Sequence, residues 1–268
     1  MKAILLFANE DKGMKSRLDA ALCLASNFEG PVDCVQITPY DAFIAGDPFG
    51  GVYALPTMVE HIAEEEQKHR DQVEIELRRE RARWTWTNFE GHPGHILLER
   101  SRLSDIVVVS LPGEDKSDHV RHLAADLAIH ARAPILAVPA QGKSLSCSGE
   151  AMIAWNGSAE CAHALRFAVP LLRRATAVSI VTVSDGPVRV PAPDAQHYLK
   201  QYGVESECHE INREGQSIAA ALLEHAKQRG AHYLVTGAFG HSRFREVVLG
   251  GVTRELLTTS KIPLLLSH

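Results

Sequence analysis

Ala231-His-Tyr-Leu-Val-Thr-Gly237-Ala-Phe-Gly240 is an apolar run that stops at a glycine, and it has a counterpart in Ser104-Asp-Ile-Val-Val-Val-Ser110. Each is followed by a loop, a helix and a second apolar run opened by proline: Ala133-Pro-Ile-Leu in the first case, Ile262-Pro-Leu-Leu in the second. The first position of a strand is where the missing N–H of proline does least harm. The runs are continuous rather than alternating, which predicts strands covered on both faces. A parallel sheet with helices on each side meets that condition.

Working outward, the first half predicts strands over 3–7, 32–37, 84–89, 106–109 and 135–138, with a helix over 15–28 that sets Leu18, Ala21, Leu22 and Ala25 on one face. The second half predicts strands over 151–155, 178–183, 204–210, 233–236 and 263–266, with helices over 159–172 and 216–229. Such a repeat implies two copies of one fold, as domains 1–140 and 149–268. The polar stretch Gln141-Gly-Lys-Ser-Leu-Ser-Cys-Ser-Gly149 between them reads as a linker.

The halves differ by an insertion. Residues 39–56 read as a loop rich in glycine and aromatics, among them Tyr40, Phe43, Phe49 and Tyr53, which either cover a pocket in the first half or, the favoured reading, pack on a helix over 57–83. That helix is acidic early (Glu60, Glu64, Glu65, Glu66) and basic late (Arg78, Arg79, Arg81, Arg83), the polarity its dipole favours. Glu64/Lys68 and Glu74/Arg78 add support at i,i+4.

The chain has 268 residues, 45% hydrophobic and 23% charged, as in a globular protein large enough for two ordinary cores. A net charge of -5 gives no electrostatic case for nucleic acid or an anionic membrane. Cys23, Cys34, Cys147, Cys161 and Cys208 are scattered without metal-finger spacing, which suggests reduced thiols. The apolar start is too short for a signal peptide, and no segment approaches the ~20 apolar residues of a membrane span. A soluble, cytoplasmic protein is expected.

The glycines after the fourth strand of the second half carry the chemistry. Gly237 and Gly240 suit a strand-to-loop turn, while Gly250 and Gly251 sit where the last helix should begin, with Thr253 in its first turn. Phosphate requires closely approaching backbone N–H donors, which a glycine loop and a helix N-terminus supply. His241, Ser242, Arg243 and Arg245 in the loop could reach phosphate oxygens or the waters of a metal ion. Alternatively, the glycines only make tight turns. Neither a GxxxxGK[ST] loop nor a GxGxxG fingerprint is present. The first strand also ends in a polar turn, Trp155-Asn-Gly-Ser158, and the first and fourth strands flank the ligand-binding switch point if the order is 3-2-1-4-5.

Gly237-x2-Gly240-x9-Gly250, with Gly240-His-Ser-Arg243 and Gly250-Gly-Val-Thr253, resembles the universal stress protein family, in particular its nucleotide-binding members and its tandem-domain bacterial branch. The resemblance implies two tandem five-stranded parallel sheets of order 3-2-1-4-5 with helices on both faces, the adenine nucleotide alpha hydrolase-like α/β fold. It implies adenosine contacts from Ala154, Asn156 and Val183, and phosphate contacts from Gly237, Gly240, Gly250, Gly251, Val252 and Thr253. Trp155, Ala238, His241, Ser242 and Arg243 complete the candidate set. Two positions depart from the family pattern. Asn156 replaces an acidic residue and loses charge assistance, and Gly251 replaces a hydroxyl residue.

The expectation is a stress-response protein whose second domain binds ATP, with Mg²⁺, as a regulatory or sensing ligand and hydrolyses it slowly at most. The first half lacks the glycines: Gly113 to Asp118 is acidic, and Arg121 and His122 fall where the last two glycines would align, so no ATP is expected there. The alternatives are a nucleotide-free scaffold acting through an unknown protein partner, and a slow adenine-nucleotide hydrolase. A homodimer through domain surfaces is open to the chain. His92/His95 and His119/His122 read as surface histidines, and Trp84 and Trp86 as packing residues on one strand face.

Overall fold

The computed structural model describes residues 1–39, 45–46, 52–53, 56–112, 122–184, 188–238 and 251–268. Of the insertion aromatics, Tyr40, Phe43 and Phe49 lie outside these, and only the backbone of Tyr53 is described. The first half runs β1 (Ile4–Phe7), α1 (Met14–Phe28), β2 (Val32–Thr38), β3 (Ala45–Gly46), β4 (Val52–Tyr53), α2 (Pro56–Arg79), β5 (Trp84–Glu90), α3 (Pro93–Arg100), a 3-10 turn (Ser101–Leu103), β6 (Ile106–Ser110), α4 (Leu123–His130) and β7 (Ile135–Val138). The second runs β8 (Ala151–Ala154), α5 (Ala159–Leu172), β9 (Val178–Val183), α6 (Ala192–Gln201), β10 (Glu207–Ile211), α7 (Ile218–Arg229), β11 (Tyr233–Gly237), α8 (Gly251–Thr259) and β12 (Leu264–Ser267). The small hairpin β3–β4 is separate from the main sheet.

Each half has the expected 3-2-1-4-5 order, but the two sheets are one. The ten strands lie in the order β10-β9-β8-β11-β12-β7-β6-β1-β2-β5. Neighbours are parallel except at the centre, where β12 and β7 pair antiparallel with Leu265 opposite Leu136. An unpaired fifth strand would offer a row of open backbone groups, and each half covers that edge on the other. The strands alternate between two faces. Ile4, Leu6, Ile106, Val108, Leu136, Ile153, Val235 and Leu265 face one core with α1, α2, α5 and α6. Leu5, Phe7, Val107, Val109, Ile135, Met152, Leu234 and Leu266 face the other with α3, α4, α7 and α8. Both cores continue across the seam.

Several local expectations shift. The strand expected over 204–210 begins at Glu207, because Val204 is buried and its N–H closes the end of α6 on the Leu199 carbonyl. The inserted helix ends at Arg79, and Arg81 takes φ 53 to turn the chain into β5. Two helices go beyond the sequence-based expectation: α3, with Pro93 in its first turn, and α6, with proline there too. The stretch 141–149 is no loose linker. Lys143 donates from its backbone to the Lys261 carbonyl and from Nζ to the Gly230 and Ala231 carbonyls, and Leu145 and Cys147 are buried.

Trp84 and Trp86 pack under α2 as expected, with the Arg78 and Arg70 guanidinium groups each 5.7 Å from a ring. Glu74 pairs with Arg78 at 2.6 Å and with Arg70 at 2.8 Å. Among the described residues, no helix is long and apolar enough to cross a membrane.

Leu265 is fully buried at the seam. Leu265→Ala should therefore lower unfolding free energy by about 3 kcal/mol, measured by urea denaturation. A loss below about 1 kcal/mol would mean the seam is loosely packed.

Candidate functional site

The carboxyl ends of β8, β9 and β11 meet where the chain leaves β8 for β9 on one side and returns as β11 on the other. That is the switch point of the second half. Ala154 is the buried last residue of β8. Trp155 continues its line by donating its backbone N–H to the Val181 carbonyl, while its indole N–H donates to the Val190 carbonyl at 2.8 Å. Its side chain is 5% exposed and therefore belongs to the wall rather than to the open crevice.

Asn156 is exposed, and its Oδ1 accepts from the Ser158 backbone N–H at 3.0 Å. Gly157 turns the chain at φ 71, where a Cβ would also meet Val190 backbone at 2.7 Å. Ser158 Oγ then caps α5 by accepting from the Cys161 N–H at 3.2 Å. Val183 is half-buried at the end of β9.

Gly237 closes β11 against the first turn of α5. A Cβ there would lie 2.5 Å from the Cys161 nitrogen and 2.7 Å from the Glu160 carbonyl carbon. The first half meets the same crowding with the residues exchanged: Gly13 caps α1, and a Cβ on it would collide with Ser110 Oγ at the end of β6. One glycine is needed at each cap-to-strand contact, on either partner. Gly237 thus has a packing reason independent of any phosphate.

Ala238 is fully buried; its N–H donates to the Ser267 carbonyl, and its own carbonyl accepts from His268 Nδ1 at 2.8 Å. Gly240, His241, Ser242, Arg243, Arg245 and Gly250 lie outside the described residues. Beyond them Gly251 opens α8 with open space where a Cβ would stand, Val252 packs on the core, and Thr253 is buried. Ala154, Asn156, Val183 and Gly237 are thus gathered at the ends of three neighbouring strands, while Trp155 and Ala238 face the core.

The corresponding strand ends of the first half, β1 and β6, are bridged by a buried cation. Arg17, on the first turn of α1, is fully buried. Its Nε donates to the Phe7 carbonyl at the end of β1 (2.7 Å), and its Nη2 donates to the Asn9 carbonyl (2.6 Å). Nη1 meets both Asp11 carboxylate oxygens at 2.8 Å and Ser110 Oγ at 2.6 Å. Burial lowers its pKa while Asp11 opposes the shift, and a guanidinium remains charged throughout. The inserted α2 adds a cover: a His69 ring nitrogen lies 2.9 Å from the Ala8 carbonyl, and Thr38 Oγ1 donates to Glu66 at 2.5 Å. Counted from the two helix caps, Ala162 stands in the second half where Arg17 stands in the first. Sequence reasoning does not single out Arg17, which reads there as one more charge on a helix.

His92 and His95 stand at the start of α3 with rings 5.1 Å apart. No group of three His, Cys, Asp or Glu side chains among the described residues could hold a metal ion. His119, Gly113, Asp118 and Arg121 lie outside the described residues.

Three substitutions check this geometry by their effect on stability. Arg17→Met should cost about 3 kcal/mol by leaving Asp11 and two carbonyls unpaired, seen as a lowered thermal midpoint. An unchanged midpoint would show that the ion pair is not buried. Gly237→Ala should cost about 1–3 kcal/mol, because the obstructing atoms are backbone. Gly251→Ala, with open space at its Cβ, should be neutral or slightly stabilising in the same assay.

The universal stress protein family model matches residues 150–268. A universal stress protein of Synechocystis is 27% identical over 169 residues, covering 60% of this chain and 57% of its own length. The chain thus spans little more than half of that curated relative. Among solved structures, a universal stress protein from Archaeoglobus fulgidus superposes with a TM-score of 0.77 at 13% identity, covering 99% of this chain and 96% of its own. A putative universal stress protein from Pseudomonas aeruginosa does so with a TM-score of 0.61 at 14% identity, covering 100% and 93%. At such identities these two show a common fold across both halves. Residues 150–268 are thus similar to the universal stress protein family, and the whole chain shares the fold of its solved members.

Proposed function

We propose that the chain binds one adenine nucleotide, ATP, in the second of two domains (1–140 and 149–268), as a regulatory or sensing ligand in a cytoplasmic stress response. The observation that carries this reading is the contrast between the two crevices. In the first, a buried guanidinium already satisfies the carbonyls and the serine at the strand ends. In the second, an alanine stands at that position, Asn156 is exposed, and the N-terminus of α8 begins beside the glycine-rich segment. A helix N-terminus favours anionic ligands through its free N–H groups and its dipole.

The adenosine would lie against Ala154, Asn156 and Val183, and the phosphates would reach Gly240, Gly250, Gly251 and Val252. Gly237 supports the turn from which the phosphate loop departs. Mg²⁺ would arrive with the phosphates, in keeping with its habit of retaining waters and binding through substrate oxygens. The described residues offer no cluster that would hold it alone. The role assigned to the ligand in this reading is binding, with slow hydrolysis at most.

Mass spectrometry of ligand released from freshly purified protein, with calorimetry on the stripped protein, should find one adenine nucleotide per chain. No nucleotide in either experiment overturns the reading, and two per chain would show that Arg17 does not close the first crevice. Gly250→Val should weaken ATP binding at least ~100-fold by crowding the N–H donors of the loop. Unchanged affinity would place the phosphates elsewhere.

A further inference from the structure

Cys23 on α1 and Cys147 in the 141–149 segment are far apart in sequence, yet their Sγ atoms lie 3.2 Å from one another. The two thiols are unequal. Cys23 is half-buried and lines a surface cleft of about 580 Å³ with Asp19, Ser26, Gly30 and Arg81. Cys147 is 1% exposed and sits behind it. The Cys23 sulfur also receives the Asn27 side-chain amide at 3.9 Å. The hydrogen bond from Cys147 draws the Cys23 thiol down to about 7. Behind both lies Tyr233, fully buried, whose hydroxyl has no hydrogen-bond partner among the described residues and feels the charge of either sulfur.

A reachable thiol with a second thiol in contact behind it is the arrangement of an attacking and a resolving cysteine. We propose that Cys23 and Cys147 are a redox-active pair, oxidised by hydroperoxides to a disulfide that staples α1 of the first half to the segment joining the halves. In the first step the Cys23 thiolate attacks one peroxide oxygen. The O–O bond breaks, the leaving alkoxide or hydroxide takes up a proton, and Cys23 becomes a sulfenic acid. In the second, Cys147 sulfur attacks Cys23 sulfur, and the sulfenic hydroxyl leaves with the Cys147 proton as water. Two thiols and one hydroperoxide give one disulfide, one alcohol (or water) and one water. The two electrons taken up by the O–O bond come from the two sulfurs. The sulfurs must close from 3.2 Å to the ~2.05 Å of a bond, a movement of side chains alone.

The remaining cysteines provide internal controls. Cys34 is buried and pushed up to about 12, Cys161 is buried and raised, and Cys208 is exposed and raised by partial desolvation. Whole reduced protein, freed of reductant, would be treated with a few equivalents of hydrogen peroxide, quenched with iodoacetamide and mapped by mass spectrometry without reduction. The expected product is a peptide pair joined through Cys23 and Cys147, reverting to free thiols with dithiothreitol, with Cys23 consumed ~10-fold faster than Cys208. In Cys147→Ser, dimedone should trap the Cys23 sulfenic acid. Recovery of both thiols alkylated after Cys208 has been oxidised would overturn the proposal. So would oxidation of Cys23 in the wild type with no linked peptide. Either result leaves the nucleotide reading untouched, since neither sulfur lies at the crevice.

Discussion

The antiparallel pairing of β7 with β12 is the constraint on which the rest of the architecture depends. Inside each half every strand runs parallel, so all carboxyl ends lie at one edge of that half-sheet. Joining the halves through an antiparallel pair points the two sets of ends in opposite directions. The two switch-point crevices therefore open at opposite ends of a single ten-stranded sheet, and neither can complete the other. Each must stand on its own residues. The same pairing carries both cores across the centre, so the halves share packing on both faces rather than touching at a surface patch.

Within that frame the two ends have been finished differently at matching positions. Both require close approach between the first helix cap and the end of the fourth strand, and both place one glycine there. In the first half the strand end keeps the hydroxyl of Ser110, which Arg17 uses; in the second the strand end is Gly237, and the hydroxyl belongs to the cap, Ser158. The exchange decides where a polar side chain can point. A serine on the strand anchors a buried cation inside the crevice. A serine on the cap is consumed by its own helix and anchors nothing at the strand ends.

The chain's fold was legible because parallel strands covered on both faces produce continuous apolar runs, and Pro134 and Pro263 mark the same place in both halves. The seam was not legible. A run such as 263–266 states that a strand is buried but not which neighbour buries its edge. α3 and α6 escape such a reading because they are short and sit beside prolines that read equally well as loop. The candidate site was legible as a neighbourhood: Ala154, Asn156, Val183 and Gly237 do converge. Individual roles were less so, since Trp155 bonds a carbonyl 35 residues away and Gly237 answers to a helix backbone. Arg17 and the Cys23–Cys147 contact share the same opacity. Each depends on partners brought close only by the sheet, 93 residues away for Ser110 and 124 for the sulfur pair.

β11 links the Cys23–Cys147 contact to the switch point of the second half. Tyr233, its first residue, lies beside the sulfur pair, and Gly237, its last, supports the turn at the crevice. Four residue steps of strand separate them, about 13 Å, too far for a disulfide to touch a nucleotide. The connecting element is a central strand bonded on both sides, to β8 and to β12, which resists sliding. Oxidation at one end would therefore act first on how firmly α1 and the 141–149 segment hold the halves together. Its consequence for the crevice would be secondary, transmitted only as far as the β8–β11 pair can shift as a unit.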